Sequence, residues 1–132
     1  MNEDYCSYEL SKILKTCGFD EPCRYYYTSN KKLRIVKDNA LAPEIINHRY
    51  LDEICDGCCT AVPLWQAKKW LLEKHRISVR MNYFSDVELW FVDWLKLDSE
   101  EFGDANTLFA TYKEALVYGI AAALELIKKG GL

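Results

Sequence analysis

The pair of segments at 77–95 constrains this chain most. Ile77-Ser78-Val79-Arg80-Met81-Asn82-Tyr83 alternates apolar and polar with a period of two. That pattern belongs to a strand with one buried face. Ile77, Val79, Met81 and Tyr83 are expected toward a core, and Ser78, Arg80 and Asn82 toward water. After a turn at Ser85-Asp86, Leu89-Trp90-Phe91-Val92-Asp93-Trp94-Leu95 is apolar on both parities. Such a strand is central in its sheet, or its second face is covered. The two together read as a hairpin that needs helices to cover it.

Those helices are legible on either side. Pro63 stands where a helix can begin, and Leu64, Ala67 and Leu71 form a stripe flanked by Trp70. Thr111-Tyr112-Lys113-Glu114 fits a capping box, in which hydroxyl and carboxylate satisfy each other's exposed amides. Ala115, Leu116, Gly119, Ile120, Ala123, Leu124 and Ile127 follow on one face, and Gly130-Gly131 stops the helix. Near the start, Ser7 caps a helix carrying Leu10, Ile13, Leu14 and Cys17, which Gly18 ends. Arg24-Tyr25-Tyr26-Tyr27-Thr28, a turn at Ser29–Lys32 and Leu33-Arg34-Ile35-Val36 then predict a first hairpin. The expected fold is α+β: a four-stranded, mainly antiparallel sheet of two hairpins with three helices, in the order α-β-β-α-β-β-α. Residues 1–132 form one expected domain, in which 37–62 is a long irregular connection with a short helix near 49–55.

Composition narrows the class. Half of the 132 residues are hydrophobic, which excludes a disordered tail, and no apolar run approaches the ~18–20 residues of a membrane span. The start, Met1-Asn2-Glu3-Asp4, is acidic and lacks the pattern of a signal peptide. A cytoplasmic location with free thiols is therefore expected for the six cysteines. Seventeen Lys and Arg against twenty Asp and Glu give a net charge of −3, with no global pull toward nucleic acid. The charge is segregated, however. Residues 24–37 hold Arg24, Lys31, Lys32, Arg34 and Lys37 with no acid, and residues 65–80 hold Lys68, Lys69, Lys74, Arg76 and Arg80 against Glu73. Residues 86–104 hold seven acids against Lys96. Basic segments sharing a face would bind phosphates; otherwise they are solvated faces.

Three constellations carry possible chemistry. Cys55-Asp56-Gly57-Cys58-Cys59 has the two-residue spacing that lets thiolates share a metal or form a disulfide. The usual second pair for zinc is missing, so His48 or distant cysteines would have to complete the site; the alternative is buried, incidental thiols. His48 beside these cysteines is also a conceivable nucleophile pair, although no spacing supplies an oxyanion hole. His75 at the end of its helix suits a partly positive imidazole against the helix dipole. The aromatics form the third set: Tyr25, Tyr27, Trp90 and Trp94, with Tyr26 and Phe91, are either core or an exposed sheet surface that anchors a partner. There is no phosphate loop, zinc helix, nucleophile elbow or calcium loop. No catalytic residue and no cofactor are assigned.

Cys17-Gly18-Phe19-Asp20-Glu21-Pro22-Cys23-Arg24-Tyr25-Tyr26-Tyr27 resembles a segment of small uncharacterised proteins from phages and mobile elements of gut Bacteroidetes. Val62–His75, the strand at 77–83, a Trp-containing strand and Thr111-Tyr112-Lys113-Glu114-Ala115 are similar as well, so the resemblance spans most of the chain except 38–60. It implies an intracellular phage or prophage protein and brings no activity. The expected function is a non-enzymatic interaction domain that binds a host or phage protein, as monomer or homodimer and without a membrane. The alternatives are nucleic-acid binding through Arg24, Lys31, Lys32, Arg34, Lys68, Lys69 and Arg80, and a zinc module using Cys55 and Cys58.

Overall fold

In the computed structural model, which describes residues 4–35, 56–99 and 101–130, Ser7 opens the first helix. Its Oγ accepts from the Leu10 amide at 3.1 Å, and α1 runs Tyr8–Thr16. Gly18 follows the cap with φ +100°, a left-handed turn that a side chain would strain. The expected hairpin is present: β1 (Tyr25–Tyr27) pairs antiparallel with β2 (Leu33–Ile35), and Tyr26 lies opposite Arg34. Its turn closes with Lys31 at φ +66°.

One correction follows at once. The described end of the presumed irregular connection contains a strand, β3 (Cys59–Ala61), which pairs with the other side of β1. The first sheet is thus β2-β1-β3, with α1 packed on β3. This short run was unreadable because cysteine and threonine show no apolar period, and β1 decides its register. The proposed helix near 49–55 lies outside the described residues. Leu10, Leu14, Phe19, Ala61 and Val62 are buried in this part, together with Cys6, Cys17, Cys23, Cys58 and Cys59. The free ones, Cys6, Cys17, Cys23 and Cys59, therefore act here as small apolar side chains. Residues Met1–Pro63 form one compact unit.

The second unit, Leu64–Leu132, holds the remaining elements. Helix α2 (Leu64–His75) buries Leu64, Ala67, Trp70 and Leu71. Strands β4 (Ile77–Phe84) and β5 (Leu89–Lys96) pair along their whole length, from Ile77↔Lys96 to Phe84↔Leu89. A further strand, β6 (Glu101–Asp104), lies on the other side of β5. The doubly apolar strand is therefore central, as its pattern requires, in the order β4-β5-β6. The acidic Glu-Phe-Gly-Asp of β6 has no strand signature, and its pairing comes from the centre strand. Among the described residues the fold is α+β, with three helices and two three-stranded antiparallel sheets in place of the expected four-stranded one.

Helix α3 (Tyr112–Lys129) covers one face of this second sheet. The N-cap half of the expected capping box forms, Thr111 Oγ1 accepting from the Glu114 amide at 3.1 Å, but the Glu114 carboxylate accepts from the Thr111 hydroxyl at 3.1 Å rather than from its amide. Gly119 marks the closest approach, since a Cβ there would lie 2.6 Å from Val92 and 2.7 Å from Val79. Beneath β6, Trp94 lies across Gly103, where a Cβ would be 2.6 Å from the indole nitrogen. Gly103 leaves room for the ring that a larger residue would displace.

Candidate partner-binding face

Register assigns each side chain of the second sheet to a face, because directly paired residues of antiparallel strands point the same way. The inner face, toward α3, carries Ile77, Val79, Met81 and Tyr83 with Trp90, Val92, Trp94 and Gly103. The outer face carries Ser78, Arg80, Asn82 and Phe84 on β4, then Leu89, Phe91, Asp93 and Leu95 on β5, and Phe102 and Asp104 on β6. Five of these side chains are large and apolar. Phe102 is 55% exposed and Phe84 45%, while Leu89, Phe91 and Leu95 are half-buried.

The outer face is ordered by its own contacts. Phe84 and Phe91 stack at 6.0 Å between centroids, with planes 15° apart. Across the middle, Arg80 Nε donates to Asp93 Oδ1 at 2.7 Å, and the guanidinium carbon lies 5.9 Å from the Phe102 ring centre. The pair is uneven: the Arg80 side chain is 49% exposed and that of Asp93 only 12%. Asp104 stands directly opposite Asp93 and remains exposed, its Oδ1 accepting from the Asn106 amide at 2.7 Å. Arg80, Asp93 and Asp104 thus form one charged row across a surface whose other polar side chains are Ser78 and Asn82.

Of the aromatics singled out from sequence, Tyr25, Tyr27, Trp90 and Trp94 occupy other positions. Trp94 is buried at 9% exposure, with its ring 6.2 Å from Tyr118, and Trp90 lies on the inner face at 4.9 Å from Tyr83 and 5.0 Å from Tyr112. In the first unit, Tyr27 donates its O–H to the Cys6 carbonyl at 2.7 Å, and half-buried Tyr25 lies 5.2 Å from Tyr5. Burial, then the nearby Cys6 and Cys59, raise the Tyr27 phenol above its ordinary pKa. Of the aromatic constellation, Phe91 lies on the outer face. Phe84 and Phe102 were missed because neither sits in a run that reads as a sheet surface. The available signal was the second apolar parity of β5, which demands a cover on that side.

The basic segments fall in different units, 24–35 in the first and 65–80 in the second. Arg24, Lys32, Arg34 and Lys69 are exposed, and Lys68 is half-buried. Lys31 meets Glu9 at 2.9 Å, Arg76 meets Asp98 at 3.6 Å and Arg80 meets Asp93, so three of the cations already face carboxylates. Lys37 lies outside the described residues.

The cysteine reading needs a correction. Cys6, Cys17, Cys23 and Cys59 are free thiols, but Cys58 is disulfide-bonded. A disulfide sulfur is not a thiolate ligand, so Cys58 in this state does not serve zinc. Cys55 and His48 lie outside the described residues. Among the described residues no group of three or more His, Cys, Asp or Glu is placed to hold a metal ion. Burial, with Cys23 nearby, pushes the Cys6 thiol up to about 12. Burial pushes Cys59 up to about 11 against the opposing charges of Lys12 and Lys15. Neither is a nucleophile at neutral pH. His75 also departs from expectation: burial and then Lys96 lower its pKa, and its ring stands 4.7 Å from Trp70. It favours the neutral form rather than complementing the dipole as a cation.

Comparison with protein-family models, curated proteins and solved structures finds no match. Among the described residues no helix is long and apolar enough to cross a membrane.

Proposed function

We propose that this chain is a non-enzymatic protein-binding domain, an accessory protein of phage or prophage type, whose contact surface is the outer face of β4-β5-β6. One observation carries this reading: Phe84, Phe91, Leu89, Leu95 and Phe102 share a single exposed or half-exposed sheet face. Single exposed apolar residues are ordinary on protein surfaces, but five large ones gathered on one sheet face, on either side of a central polar row, support an interaction site. Aromatic anchors beside an arginine are also the composition in which binding energy concentrates. The inner face is already used for folding, so it does not compete for this role.

The test is affinity capture from lysate of a gut Bacteroidetes strain, comparing the full chain with Phe84→Ser and Phe102→Ser. Both sites are exposed, so circular dichroism should show the variants folded. A specific prey retained by the parent and lost by both variants is the expected result. Equal retention by parent and variants would remove this face as the contact surface.

A further inference from the structure

The outer face also carries a charge pattern, and it specifies the chemistry of what docks there. Of the outward side chains, only Arg80 is cationic, and its Nε is already donated to Asp93. Two carboxylates, Asp93 and Asp104, stand side by side in that row. At the Phe84–Leu89 end, the connecting turn adds exposed Asp86 and Glu88. Asp86, Glu88 and Asp104 make no ion pair among the described residues. Four carboxylates against one guanidinium therefore border five large apolar side chains.

We infer that the occupant of this face is a basic, apolar segment of a partner protein. Its arginine or lysine side chains would lie over Asp104 and beside the 85–88 turn, and its aliphatic or aromatic side chains against Phe84, Phe91 and Phe102. This rests on the protein-binding reading above. The unpaired carboxylates favour a cation over the other simple occupants. A phosphate backbone would meet the carboxylate excess. A second copy packed face to face about a two-fold axis along β5 would bring the nearly buried Asp93 against Asp93 but would also set Arg80 of each copy over Asp104 of the other, so sedimentation separates that occupant from a basic partner. A basic partner neutralises Asp104 while the phenylalanine rings are covered. Because the unpaired carboxylates lie on the edge strand β6 and in the 85–88 turn, they should set partner choice and salt sensitivity more than total affinity.

The experiment selects dodecapeptides from a random displayed library against the immobilised full chain, then measures a fluorescein-labelled selected peptide by anisotropy. The expected peptides carry two or more Arg or Lys among apolar residues and bind more weakly as salt rises from 50 to 300 mM. Asp104→Asn keeps a side-chain oxygen for the Asn106 amide, so the turn survives; it should weaken binding about threefold, and Asp104→Lys roughly tenfold. Phe102→Ser should weaken every selected peptide. Neutral or acidic peptides that respond to Phe102→Ser and ignore Asp104→Lys would overturn the basic-partner inference alone. Peptides indifferent to both Phe84→Ser and Phe102→Ser, or no peptides at all, would overturn the protein-binding face itself. A concentration-dependent dimer in sedimentation, dispersed by Phe102→Ser, would seat a second copy there and overturn the inference.

Discussion

Gly119→Ala offers the sharpest test of how α3 is seated. On an exposed helix surface this change would stabilise by about 1 kcal/mol through helix propensity. Here the added carbon would stand 2.6 Å from Val92 Cγ2 and 2.7 Å from Val79 Cγ1. Comfortable carbon–carbon contact is about 3.5–4.0 Å, so roughly 1 Å must be opened. Both obstructing methyls belong to β-branched side chains on paired strands, whose χ1 rotation is restricted. The helix must therefore lift, loosening Leu116, Ile120, Ala123 and Leu124, which are buried along the same face. Overpacking of this kind costs about 1–3 kcal/mol. With two methyls struck together we place the cost in the upper half of that range, giving a net loss of about 1–2 kcal/mol. All four tryptophans, Trp65, Trp70, Trp90 and Trp94, lie in this unit, so urea denaturation followed by fluorescence reports on it. Val92→Ala should couple favourably with Gly119→Ala, the double variant losing about 1 kcal/mol less than the sum of the singles. A Gly119→Ala protein more stable than its parent, with no coupling to Val92→Ala, would refute the contact.

Three further outcomes follow from the same structure. Arg80→Leu leaves the nearly buried Asp93 carboxylate without its cation and should cost about 1–3 kcal/mol in urea melts, whereas Arg80→Leu with Asp93→Leu should recover most of it; equal losses for single and double variants would contradict the pair. His75 binds its proton less tightly folded than unfolded, so stability should be full above the unfolded pKa of about 6.5 and decline as pH falls from there toward the lowered folded value. His75→Gln should flatten that part of a plot of melting temperature against pH, and an unchanged slope would assign it to other groups. Cys6, Cys17, Cys23 and Cys59 are all buried, so iodoacetamide at pH 8 should leave them unmodified in the native protein and label them in denaturant. Cys58 should stay unlabelled in denaturant until a reductant is added, as read by peptide mass.

Long periodic segments were legible because their pattern and their burial have one cause. The Ser7 and Thr111 caps, the alternation at 77–83 and the doubly apolar β5 each determined an element that the structure contains. Even there the reading has an end: Tyr83 is placed on the inner face as its parity requires, yet it is half exposed because β4 runs on toward the start of α3. The short strands β3 and β6 were illegible for a physical reason. With three and four residues they carry too few side chains to show a period, and their ladders are dictated by β1 and β5. That shortfall concealed the candidate face, since without β6 neither Phe102 nor Asp104 had a place beside Asp93. Trp90 and Trp94 are a different case, since their parity with Val92 within β5 already assigned them inward.

The position of β4 gives Arg80 a second consequence, one concerned with solubility. This eight-residue strand is at the border of its sheet, where unpaired backbone groups can recruit another strand. A charge in the middle of such a border opposes stacking of identical chains, because self-pairing would bring like charges together and desolvate them. The same guanidinium holds Asp93. Replacing it by an apolar residue would weaken the fold and remove the guard from the border in a single step, so the loosened protein would also be the one most ready to aggregate.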